Sequence, residues 1–167
     1  MRSRHLVFAL LGACALTLTA YAADPAAGFI GSWDLVSLEN RGADGSVHQP
    51  FGAHPVGRIT YTADGLMSAQ IMHETRVPFA GTALYGGTPA EKAAAYSGYI
   101  AYYGSFDVDP AAGIVTHHVT GSLLPNWVGG NQVRFYRFEG EHLVLSSKPF
   151  AAFGTEVTPH VVWRKVK

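Results

Sequence analysis

His117 and His118, adjacent in Val115-Thr116-His117-His118-Val119-Thr120, are the residues of this chain best suited to chemistry. An imidazole with its ordinary pKa of about 6.5 can give or take a proton at neutral pH, and each ring nitrogen can hydrogen-bond a ligand. The surrounding residues read as a strand, on which neighbours face opposite ways. The two rings therefore cannot do the same job: in a barrel one points into the interior and the other toward solvent. Val115 and Val119 share a face with His117, whereas Thr116 and Thr120 share one with His118, so His117 is the expected inward member. A reversed register would put His118 inside. Both are candidate catalytic residues for acid–base work in a dry cavity. The plainer reading of the inward one is a core histidine satisfied by a hydrogen bond.

Aromatic and apolar side chains supply the wall such a cavity needs. Alternation places Ile59 with Tyr61, and Met67 with Ala69 and Ile71; Val133 with Phe135 and Val161 with Trp163 extend the apolar set. Tyr61, Tyr102, Tyr103 and Trp127 each combine an apolar body with a polar tip, as orienting groups in small-molecule pockets do. The candidate ligand-binding set is thus Tyr61, Met67, Tyr102, Tyr103, Trp127 and Phe135. Taken singly, each reads more readily as core packing; their number is what points to an aromatic-lined cavity. Trp33 and Trp163, near the two ends of the pattern, read as core where first strand meets last.

Other chemistries lack their residues. Two adjacent histidines cannot chelate one ion from one face of a regular strand, and His48, His54, His73, His142 and His160 follow no ligand spacing, so no metal site is expected. Nothing singles out haem, and no cofactor is expected. There is no Gly-x-Ser-x-Gly elbow; Gly121-Ser122 alone does not make one. Asp107 and Glu74 could partner a histidine, but read more simply as surface or turn carboxylates.

The elements that must position these residues are strands. Candidates run Phe29 to Glu39, Val56 to Thr62, Leu66 to Met72, Tyr102 to Val108, Gly113 to Ser122, Gln132 to Glu139, His142 to Ser147 and Thr158 to Val166. Turn signals separate them, Ala63-Asp64-Gly65 being the clearest hairpin. With 19 glycines and only 14% charged residues, the composition suits many short strands and tight turns. The fold class is all-β: about eight strands in an antiparallel up-and-down barrel, with one short helix as lid. That helix begins at the capping box Thr88-Pro89-Ala90-Glu91, and Tyr96, Tyr99, Ile100 and Tyr103 then recur at helical spacing, predicting an aromatic stripe laid over an open end. An eight-stranded barrel has room for side chains or for one small ligand.

Gly31-Ser32-Trp33 resembles the Gly-x-Trp signature of lipocalins, with Arg164 in place to pack over the tryptophan. Pro50-Phe51-Gly52, the run Gly57 to Gln70, and the block Thr116 to Asn131 resemble the lipocalin-like domain proteins of bacteria and fungi. The resemblance extends from about Phe29 to Arg164. It implies a closed or nearly closed antiparallel barrel with a cavity, and brings no reaction and no catalytic residue with it.

The chain opens on Met1-Arg2-Ser3-Arg4-His5, then an uncharged apolar run from Leu6 to Ala20 that ends at Ala20-Tyr21-Ala22. This reads as a signal peptide, residues 1–22, cleaved before Ala23, leaving 23–167 as a single barrel domain. Leu11-Gly12-Ala13-Cys14 could be a lipoprotein box, but the apolar run continues well past Cys14 and suits the later cut better. Cleavage there removes the only cysteine, and with it disulfide and thiol chemistry. Losing Arg2 and Arg4 from a balance of 12 basic and 12 acidic residues leaves a slight acidic excess. Such a charge suits neither nucleic acid nor an anionic membrane, and the apolar run is too short for a stable span. The expectation is a periplasmic or secreted barrel binding a small hydrophobic or aromatic molecule; nothing sets its oligomeric state. The alternative is a cofactor-free isomerase, cyclase or lyase using an interior histidine with a tyrosine.

Overall fold

The structure, a computed structural model, describes residues 24–152 and 154–167. The expected leader, residues 1–22, lies outside them. The described residues form ten strands: β1 Gly31–Gly42, β2 Val47–His48, β3 Val56–Tyr61, β4 Leu66–Met72, β5 Tyr99–Asp109, β6 Ile114–Ser122, β7 Asn131–Glu139, β8 His142–Ser146, β9 Phe150–Ala152 and β10 Thr155–Lys165. Eight of them close an antiparallel barrel in the order β1-β3-β4-β5-β6-β7-β8-β10, with β10 returning to β1; β2 and β9 are short additions to β1 and β10. Closure pairs every long strand on both sides and leaves no long edge exposed.

Local sequence sets the turns and the register. Asp64-Gly65 turns β3 into β4, with Gly65 at φ 81° and Thr62 N–H donating to Leu66 O at 2.9 Å. On β1 the register slips between Leu35 and Ser37, so Trp33 and Leu38 both turn inward although five residues apart. A second slip, between Tyr103 and Gly104 on β5, brings the two backbones so close that a Cβ at Gly104 would lie 1.8 Å from His118 O. Only glycine allows that approach.

One end of the barrel is plugged. Phe29, wholly buried, meets Tyr61, Tyr136 and Phe138 edge-on with centroids 4.8–5.3 Å apart. Trp33 donates its indole N–H to Phe29 O at 2.8 Å, which ties the chain entering β1 across that end. The cation over the Trp33 ring is Lys165, 4.3 Å from the centroid, and not Arg164. Register explains the correction: Trp33 lies opposite Lys165 and shares its face, whereas Arg164 lies opposite Asp34 and is exposed.

The one α-helix among the described residues, α1, covers Pro89–Ser97 and starts as expected: Thr88 Oγ1 accepts from Glu91 N–H, and the Glu91 carboxylate accepts from Thr88 N–H. It ends earlier than the aromatic spacing suggested. Tyr99 already belongs to β5, where pairing with β4 overrides the helical period. No α1 residue is buried, and none lines the barrel cavity. The helix packs outside, held by Arg76, which donates to Ala95 O and Gly98 O. Among the described residues, no helix is long and apolar enough to cross a membrane.

Candidate functional site

The interior between the plug and the opposite mouth holds a cavity of about 500 Å³. That is within the usual size of small-molecule pockets. Leu38, Ile59, Ile71, Ile100 and Val161 give it an apolar wall, and Phe51, Trp127 and Phe150 add rings. Six polar side chains interrupt this wall, Asn40 on β1, Tyr102 on β5, Gln132 and Arg134 on β7, and Ser146 with Ser147 at the end of β8, and Trp163 on β10 adds its indole. Among the described residues no carboxylate lines it, and Arg134 is the one charged side chain that does.

His117 sits beneath this cavity and points inward from β6, with no exposed surface. The Tyr61 hydroxyl lies 2.8 Å from its Nε2 and the Tyr102 hydroxyl 2.9 Å from its Nδ1. A three-membered chain thus runs from the plug, where Tyr61 packs on Phe29 and Phe106, to the cavity floor, where Tyr102 packs on Trp127. Burial holds the His117 pKa down at about 3, with the positive charge of Arg134 and then His118 adding to the effect. Burial raises both tyrosines, Tyr61 well above its ordinary value, and the nearby Tyr102 adds to that rise. At neutral pH all three groups are uncharged.

His118 faces outward on the same strand. Its Nε2 meets the Asp107 carboxylate and its Nδ1 lies 2.8 Å from Asn131 Oδ1, so both nitrogens are placed to donate. The Asp107 hydrogen bond, then that to Asn131, raises its pKa. The pair is therefore split as the alternation requires: one neutral ring inside, one protonation-prone ring outside.

The remaining candidates divide between wall, core and surface. Tyr102 and Trp127 line the cavity. Tyr61 and Met67 are buried, 1% and 3% exposed, but lie in the core below it. Tyr103 and Phe135 face outward and are exposed, as is Val133, so none of the three belongs to the cavity wall. The reason on β7 is register: Gln132 pairs with the inward His117, which turns Gln132, Arg134 and Tyr136 in and the apolar Val133 and Phe135 out. Sequence reasoning thus missed Arg134 and Gln132. The only signal for them was the pairing of β7 with a strand already known to turn His117 inward. Trp163 is buried in the core as expected, yet it also borders the cavity, and its Nε1–H has no hydrogen-bond partner among the described residues.

A closed antiparallel barrel with one apolar interior cavity, entered from one end, defines a ligand-binding barrel. The chain belongs to the lipocalin-like domain family, which it matches over residues 30–166. It is 36% identical over 107 residues to a protein of Aspergillus oryzae named 4'-hydroxy-3'-methoxypropiophenone carrier protein; the match covers 60% of this chain and 96% of that relative. No solved structure matches.

Proposed function

We propose that this protein is an exported carrier that holds one small, largely apolar or aromatic molecule inside its barrel. The observation that carries the reading is the cavity itself: about 500 Å³, walled by aliphatic and aromatic side chains and open at the end opposite the plug. The relative named as carrier of 4'-hydroxy-3'-methoxypropiophenone, an aromatic ketone, supports a ligand of this class.

Filling the cavity tests the reading. Ala69 is 2% exposed and lines it, so Ala69→Phe should occupy the space a ligand needs. Aromatic ligands followed by tryptophan fluorescence should bind at least about tenfold more weakly to this variant, while its melting temperature stays near that of the parent. Unchanged binding would place the ligand elsewhere. Export rests on the leader alone. The secreted form should have the mass of a chain beginning at Ala23; a lipid-bearing start at Cys14 would refute that.

The contact of His117 with two tyrosines, one at the cavity, favours a second reading as a cofactor-free isomerase, cyclase or lyase. Protonation chemistry weighs against it. Acid–base catalysis works best with a pKa near the operating pH, and burial drives His117 far below neutrality and both tyrosines upward. A carrier should release its ligand chemically unchanged, which mass spectrometry of the bound and released molecule reads directly.

A further inference from the structure

We propose that the cavity has a hydrogen-bond polarity: Tyr102, Arg134 and Trp163 all present donors to it, so its ligand is an aromatic molecule carrying an acceptor oxygen, a carbonyl or a carboxylate. This rests on the carrier reading above and names the chemistry of what is carried.

The direction of the buried chain fixes Tyr102. Neutral imidazole has one N–H and one bare nitrogen, so one tyrosine must donate to it and the other accept. Tyr61 Oη has no hydrogen-bond partner besides His117 among the described residues, and its surroundings are the rings of Phe29 and Phe106. If His117 carried its proton on Nε2, Tyr61 would accept that hydrogen and its own O–H would be buried with nothing to bond. An orphaned buried donor is costly, so the opposite direction is favoured. Tyr61 then donates to Nε2, and Nδ1–H donates to Tyr102 Oη. The O–H of Tyr102, a residue of the cavity wall, is left without an acceptor among the described residues.

Arg134 and Gln132 have the same sense, while Asn40, Ser146 and Ser147, which also line the cavity, can both give and accept. Arg134 gives hydrogen bonds to Val133 O and Gln132 Oε1, both neutral, and makes no ion pair among the described residues. Its guanidinium carries five N–H donors, more than these two acceptors use. Because Gln132 spends its carbonyl oxygen on Arg134, its NH2 is the end that remains. Independently, the indole N–H of Trp163, a residue that lines the cavity, is buried without a hydrogen-bond partner among the described residues. A ligand oxygen completes what Tyr102, Arg134 and Trp163 leave open; an ammonium would meet a like charge at Arg134 and, among the described residues, no carboxylate at the wall.

Four probes of matched shape test this: naphthalene, acetonaphthone, naphthoate and naphthylmethylammonium, measured by calorimetry on the intact protein. Acetonaphthone and naphthoate should bind about tenfold or more tightly than naphthalene, and the ammonium most weakly. Tyr102→Phe should reduce acetonaphthone to the level of naphthalene without altering naphthalene itself, and Arg134→Met should do the same for naphthoate. Separately, ¹⁵N NMR of the ligand-free protein should find the His117 proton on Nδ1. A proton on Nε2, or equal affinity for all four probes, would overturn the proposal while leaving the carrier reading intact. Failure of every probe to bind, naphthalene included, would overturn both.

Discussion

Acidification from pH 6.5 to about pH 3 should remove about 5 kcal/mol of folding stability through His117 alone. The ring is fully buried with its pKa held at about 3, whereas in the unfolded chain it titrates near 6.5. Between those values the unfolded state binds a proton that the folded state refuses. The contribution is therefore complete above pH 6.5 and is lost as pH falls toward 3. His118 runs the other way: its raised pKa gives stability that is present below 6.5 and lost as pH rises through the folded value. Being largely exposed, it adds little. Native proteins have only about 5–15 kcal/mol in hand, so the His117 effect should dominate acid unfolding. The measurement is denaturant unfolding at a series of pH values for the parent and for the double variant Tyr61→Phe, His117→Phe. That pair of changes removes the imidazole together with the hydroxyl that depends on it, so no buried donor is orphaned. All carboxylates remain, and the difference between the two curves isolates His117. Superimposable curves would mean that the imidazole is not held neutral by burial.

Trp33→Ala should cost about 3–5 kcal/mol, as large aromatic truncations in a core do. Trp33 is 3% exposed, lies under Lys165, packs near Phe138, and supplies the N–H that Phe29 O accepts. Its loss opens a hole in the plug and frees the segment that closes it. Naphthalene affinity, extrapolated to conditions where the variant is folded, should change far less than stability, because the cavity lies beyond His117. A variant with unchanged melting temperature and lost binding would reverse that assignment.

The barrel was legible in the sequence because strand signals and turn signals agree at nearly every boundary. Asp64-Gly65 and the apolar alternation around His117 each fix register locally, and the structure keeps both. The departures lie where long-range pairing decides. Apolar character predicts an inward face, but a barrel that holds polar groups inside turns some apolar faces outward. On β7 that put Phe135 outside and Arg134 inside. A helical period ran through Tyr96 to Tyr103 by coincidence, and only the long-range pairing of Tyr99 with Met72 decides against it. Likewise, one residue of register separates Arg164 from the position Lys165 holds.

The tie across the plugged end has a practical side. Lys165 donates to Ile30 O, and Val166 N–H donates to Ser32 O at 2.9 Å, so the start of β1 and the end of β10 meet there. The mouth, bordered by Pro50, Phe51, Ser147 and Phe150, lies at the other pole. A sensor surface, a partner fused in frame or an affinity handle joined through the carboxyl terminus would therefore leave the entrance unobstructed. The same layout makes the barrel a candidate for circular permutation, since a short linker across the plug would join the end of β10 to the start of β1 without crossing the route a ligand takes.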